Sequence, residues 1–225
     1  MKSGLVCAWI CCMITVWATP AAAQARAGIH GGLSSSALIM DSGDSGFRKS
    51  FIGGGWVRFP LAGAVGLQLG AYYAQKGSSD SGEGFTAEVQ LKYIELPLLL
   101  AFLFNRAGEV SGYLATGGAF AVQRGCQVSA SVQGASASID CDATDVNGIQ
   151  PFDAEKFDVG FVLGTGLEID RGPIILTFDL RSNFGLMEAF SIYPQGSELD
   201  SDSGQNLSLA FMAGVAFPLG ARPPR

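Results

Sequence analysis

His30 is the only histidine in 225 residues. Ser34 lies on the same face of the same predicted strand. Glu168 and Asp179 are carboxylates that the fold would have to bring near it. Histidine, serine and a carboxylate are the types that hydrolyse esters or transfer acyl groups. The same His also reads as a hydrogen-bonded filler, since its face points inward and no G-x-S-x-G elbow is present. The sequence therefore assigns no catalytic, cofactor-binding or metal-ligating residue, and the expectation is a protein that is not an enzyme and needs no cofactor.

Cys126 and Cys141 are the two cysteines left once Cys7, Cys11 and Cys12 are set aside in the N-terminal segment. An even count in an exported chain favours a disulfide. A metal site is the alternative, but no His lies near either cysteine. A third set of residues forms an expected inward charge network: Arg58, Glu88, Lys92, Glu168, Asp179 and Arg181, with Lys76 on the same face. Both signs occur, so pairing can offset the cost of burial. A narrow polar pathway is the functional alternative. Most remaining acid falls in predicted loops, among them Asp41, Asp44, Asp140, Asp145 and Asp200. Asp200-Ser-Asp-Ser-Gly204 lacks the later ligands and closing Glu of an EF-hand.

These residues need strands to hold them. From Ala64 to Gly77, Val65, Leu67, Leu69, Ala71 and Tyr73 alternate with Gly66, Gln68, Gly70, Tyr72 and Ala74. Successive strand side chains point to opposite faces. From Phe157 to Asp170, apolar residues at odd positions alternate with Asp158, the glycines at 160, 164 and 166, and Glu168. Eight such stretches follow one another, beginning near Arg26, Phe51, Ala64, Ala87, Val110, Phe157, Ile174 and Asn206. Predicted connections alternate long and short, the long ones being 39–50, 77–85, 124–156 and 187–205. On the fourth strand Val89, Leu91 and Tyr93 are expected to face outward with Glu88, Gln90 and Lys92 opposite. A bulge near Pro97 then hands the outer face to Leu98, Leu100, Phe102 and Phe104. Aromatic belts are expected at Phe59, Phe104, Tyr113 and Phe217 on one rim, and at Phe51, Tyr73, Phe85, Phe120, Phe157 and Phe184 on the other.

The string Tyr73-Ala-Gln-Lys-Gly77 followed by Leu91-Lys-Tyr-Ile-Glu-Leu-Pro-Leu-Leu-Leu100 resembles the signature of the PorT-like outer-membrane beta-barrel family. The resemblance implies an eight-stranded barrel in a Gram-negative outer membrane and says little about chemistry.

Residues 1–23 read as a signal peptide: Lys2, an apolar core from Leu5 to Val16, and Ala21-Ala22-Ala23 before cleavage after Ala23. Beyond it no window of about 18 apolar residues remains for a helical span. Without Lys2 the chain has 13 basic and 20 acidic residues, a net charge of −7, which argues against a nucleic-acid partner. The reading is thus an all-β, eight-stranded antiparallel up-and-down transmembrane barrel over residues 24–219, with a short periplasmic tail at 220–225. Expected partners are outer-membrane lipid, lipopolysaccharide and the barrel assembly machinery, with any extracellular ligand unidentified. The expected role is structural or surface-binding. A narrow pore or secretion accessory, and a lipid-modifying enzyme, are the alternatives.

Overall fold

A computed structural model describes residues 24–40, 43–44, 46–105, 108–132, 135–141, 152–153, 156–192 and 202–220. The expected signal peptide and residues 221–225 lie outside the described residues. Eight long strands run antiparallel: β1 (Ala25–Met40), β2 (Arg48–Ala62), β3 (Val65–Gly82), β4 (Phe85–Phe104), β5 (Val110–Val132), β6 (Phe157–Asp170), β7 (Ile175–Ile192) and β8 (Asp202–Leu219). Each pairs with its sequence neighbour, and β8 pairs with β1 from Ala25↔Leu219 to Met40↔Gly204. The ring is closed, so none of its strands is an open edge in lipid. This is the eight-stranded architecture the alternation predicts. Among the described residues no helix is long and apolar enough to cross a membrane; the crossing is made by strands.

The outside is apolar where the sequence alternates. Leu96, Leu98, Leu100, Phe102 and Phe104 of β4 are all exposed, as are Phe157, Phe161, Leu163 and Leu167 of β6. Their neighbours in sequence point into the ring and are buried, down to Glu168 at 1 % exposure. Charge buried while leucine is exposed fits a lipid-facing barrel and not a soluble core. Phe59, Phe104 and Phe217 remain on the outer surface at one end, and Phe51, Phe120, Phe157 and Phe184 towards the other. Tyr113 leaves its expected belt: it is buried in the lumen.

β3, β4 and β5 are longer than a membrane requires, at 18, 20 and 23 residues, against about 9–11 for a tilted span. They continue past the rim as paired strands. The connection expected as a long loop at 77–85 is ladder as far as Gly82↔Phe85, with Glu83 and Gly84 as a two-residue turn. Gly84 supplies the positive φ (73°) that such a turn requires. Residues 125–132, also expected as loop, extend β5 and pair with β4. A short strand, Ala135–Asp140, then folds back on the β5 edge that β6 leaves free above Phe157. Polar Ser- and Gly-rich stretches read as loop because, outside the bilayer, neither face of a strand need be a continuous hydrophobic run.

The expected bulge at Pro97 is absent. Pairing of β4 with β5 runs unbroken through Leu96↔Phe120, Pro97↔Ala119 and Leu98↔Gly118. The shift lies instead at Lys92/Tyr93, where Arg124 of β5 is the extra residue. Facing on β4 therefore never changes: Leu91, Tyr93, Glu95, Leu99 and Ala101 are all buried inside. Chemistry inverts rather than geometry. Below Lys92 the outward positions are Ile94, Leu96 and Leu98; from Lys92 upward they are Lys92, Gln90 and Glu88. The strand leaves lipid between Ile94 and Lys92.

Candidate functional site

The lumen is filled by side chains in two polar tiers under an apolar cap. Alternation on every strand delivers these groups inward. The lower tier centres on Arg58 of β2, which reaches Glu168 of β6 at 2.5 Å. Its guanidinium also donates to Gln68 Oε1 at 2.7 and 3.0 Å. It stacks over Tyr113 and Trp56, 4.3 and 4.9 Å from the ring centroids. Arg26 pairs with the second oxygen of Glu168. Tyr113 donates its hydroxyl to Asp179, which also meets Arg181 at 3.3 Å.

His30 belongs to this tier. Trp56 Nε1 can only donate, and it lies 3.0 Å from His30 Nε2, so that nitrogen is the acceptor and the ring proton sits on Nδ1. Nδ1 faces the Tyr72 hydroxyl at 3.4 Å and Asp179 at 3.9 Å. Ser34 stands four residues along the strand, roughly 13 Å away at strand rise. The basic nitrogen that would activate a serine is already occupied by the indole.

The upper tier joins Lys76 to Glu95 at 2.5 Å and Glu95 to Asn183 at 3.2 Å. Asn206 donates to Asp158 at 3.0 Å and to the Tyr93 hydroxyl at 3.4 Å. Above it, Leu38, Leu91, Tyr93, Ala121, Cys126 and Cys141 pack as one buried cluster at the mouth. Cys126 and Cys141 are disulfide-bonded, with Cα atoms 5.4 Å apart. The bond ties the end of the Ala135–Asp140 strand back to β5.

Of the six expected network residues, the structure brings Arg58, Glu168, Asp179 and Arg181 together. Glu88 and Lys92 are corrections. Lys92 lies between the inward Leu91 and Tyr93, so it faces outward, its stem against Gly125. Glu88 is 39 % exposed on the sheet above the membrane and pairs with Arg48. Both were placed inside on the premise that apolar neighbours always face out. Sequence reasoning left out Gln68, Tyr113, Glu95, Asp158, Asn183 and Asn206. The signal was present for Gln68, Asp158, Asn183 and Asn206, which fall on the polar face of their strands; Glu95 and Tyr113 stand at positions the alternation reads as outward.

Above the rim the sheet has two distinct faces. Phe85, Ala87 and Val89 of β4, Val128, Ala130 and Val132 of β5, and Ala135, Ala137 and Ile139 form one face, by register. Thr86, Glu88, Gln90, Gln127, Ser129, Ser131, Ser136, Ser138 and Asp140 form the other. Val89 and Val128 pack against the mouth cluster, so the apolar face looks over the lumen and the polar face looks outward. Phe85 and Val132 are exposed at its tip, and Ile139 is exposed on its third strand.

A closed antiparallel ring, apolar outside and charged inside, defines an outer-membrane β-barrel of a Gram-negative bacterium. The family model described as outer membrane protein beta-barrel domain matches residues 19–191, and the chain belongs to that family. Comparison with curated proteins gives no match. Among solved structures it is similar to OprG of Pseudomonas aeruginosa, at 13 % identity and TM-score 0.54, over 88 % of this chain and 97 % of that one. It is also similar to Ail, the attachment invasion locus protein of Yersinia pestis, at 14 % identity and TM-score 0.42, over 87 % of this chain and all of that one. A third is the outer membrane protease OmpT of Escherichia coli, at 10 % identity and TM-score 0.46, over 88 % and 98 %. Likenesses at such identity speak to the fold alone.

Proposed function

We propose that the protein is a non-enzymatic, non-conducting barrel of the PorT-like kind, and that its working part is the sheet it raises above the outer leaflet. The contrast between lumen and sheet carries this reading. Inside, buried ion pairs and ring contacts occupy the space a solute would cross. Outside, three strands are extended beyond the bilayer and pinned by a disulfide, which is structure the membrane span does not require. Outer-membrane lipid and lipopolysaccharide are the immediate partners of the outer surface, and the last strand, ending in Phe217 and Leu219, is the segment offered to the barrel assembly machinery.

Planar-bilayer recording of the purified, refolded protein tests the reading. The expected trace is flat at the bilayer baseline. Discrete current steps, lost on reduction of the Cys126–Cys141 bond or altered by Arg58→Ala, would replace it with the pore or secretion-accessory reading. The lipid-enzyme alternative is tested by His30→Ala: mass spectra of outer-membrane lipids are expected to be unchanged between producing cells with and without the substitution.

A further inference from the structure

Glu95, Ala121 and Asp158 sit side by side on one rung of β4, β5 and β6, all pointing inward. On the next rung down come Ala119, Gly160 and Gly185. Three neighbouring strands thus present almost no side chain at one level of the lumen. Asp158 lies directly above this gap. Asn183, two residues before Gly185, lies below it, and its Oδ1 leans into the space a Cβ on Gly160 would take. Asn206 closes the side: a Cβ on Gly185 would meet its backbone N and O at 3.0 Å. The glycines are what let these polar side chains converge.

Three oxygens around the gap have no hydrogen-bond partner: Asp158 Oδ1, Asn183 Oδ1 and Asn206 Oδ1. Their residues are 2, 7 and 1 % exposed. The amide nitrogens already donate, Asn183 to Glu95 and Asn206 to Asp158 and Tyr93. All three free atoms are acceptors, and buried acceptors left unpaired call for positive charge. Formal charge agrees. Among the described residues of this tier Lys76 is the one cation, matched to Glu95 at 2.5 Å, beside two carboxylates, Glu95 and Asp158.

We propose that the upper lumen binds one dehydrated monovalent cation of sodium type, held by Asp158 and by the side-chain carbonyls of Asn183 and Asn206. Hard cations take oxygen ligands of this kind. A divalent ion would leave a surplus positive charge beside Lys76, and the described residues hold no cluster of three or more His, Cys, Asp or Glu side chains suited to one. The ion joins β6, β7 and β8 to each other where the two glycines leave their wall bare. It also completes the charge balance of the tier beneath the mouth.

The experiment uses the full barrel, refolded in a neutral detergent. Thermal midpoints are read from the heat-dependent shift on a gel, in sodium chloride and in N-methylglucamine chloride at equal ionic strength. Sodium is expected to raise the midpoint saturably by about 3 °C, while Asp158→Asn abolishes the difference and Glu88→Gln, on the sheet outside, retains it. Line broadening of the 23Na resonance by the wild-type protein gives an independent readout if Asp158→Asn fails to fold. Equal midpoints in both salts, with no broadening beyond that of the micelles, would overturn the proposal and leave the gap to water.

Discussion

Arg58 and Glu168 meet across the full width of the barrel. They stand on β2 and β6, four strands apart in a ring of eight, so the pair spans opposite walls. Both are buried, at 3 and 1 % exposure. Ladder hydrogen bonds join neighbouring strands only. A contact between opposite walls is what fixes the cross-section, and here Trp56, Tyr113 and Gln68 hold the guanidinium in place.

Removing one partner is therefore predicted to cost more than removing both. Arg58→Ala leaves Glu168 buried with Arg26 as its remaining counter-charge, and is expected to destabilise by about 3–5 kcal/mol. The double substitution Arg58→Met with Glu168→Leu is expected to recover most of that loss, since Arg26, at 26 % side-chain exposure, can turn to periplasmic water. Urea titration of refolding into lipid vesicles measures both. Equal destabilisation by the single and double changes would show that the pair contributes net stability beyond mutual neutralisation.

The boundary on β4 gives a second prediction. An arginine on the lipid face costs about 2–4 kcal/mol at the midplane and close to nothing near the interface. Leu98 is an outward position midway between Ile94 and Phe104, whereas Gln90 is outward beyond the rim. Leu98→Arg is expected to lie at the upper end of that range. Gln90→Arg is expected to change stability by less than about 0.5 kcal/mol. If both cost the same in vesicles, the strand leaves the bilayer elsewhere.

The same boundary explains what the sequence made legible. Ring, strand number and the facing of β1, β2, β3, β6, β7 and β8 all follow from period-two alternation inside the membrane, where lipid outside and charge inside give opposite chemistry on the two faces. On β4 the even positions change from Glu88, Gln90 and Lys92 to Ile94, Leu96 and Leu98. A rule that apolar means outward reads that change as a shift of the backbone, and Pro97 is the natural place to put one. The change belongs to the solvent. Outside the bilayer, the lumen side is the dry side. Tyr113 and Phe85 fail for related reasons: the first spends its hydroxyl on Asp179, and the second stands at the tip of a sheet that polar composition disguised as a loop. The partners of Arg58 were not legible at all as pairs, because strand alternation fixes a side chain's face but not who stands on the opposite wall.

His30 gives a prediction confined to the lower tier. His30 accepts from Trp56 and faces Tyr72 and Asp179. His30→Ala leaves the indole N–H without its acceptor and opens a void, so a loss of about 1–3 kcal/mol is expected. His30→Gln keeps an acceptor and is expected to lose less. Ordering the two variants by unfolding midpoint checks the assignment; a smaller loss for alanine would mean that Trp56 does not depend on this contact.

Cys126 and Cys141 provide the sharpest separation between membrane span and surface. Their separation of 15 residues corresponds to a stabilisation of about 3 kcal/mol on the chain-entropy account. That constraint acts on the Ala135–Asp140 strand and the mouth cluster, not on the ring, whose ladders close without it. Reduction on intact cells is therefore expected to leave the heat-dependent gel shift in place while an added protease cuts between 133 and 156 at least several-fold faster. Cys126→Ser with Cys141→Ser should behave as the reduced protein does. Loss of the gel shift on reduction would mean that the apolar cap, and not the network around Arg58, holds the barrel closed.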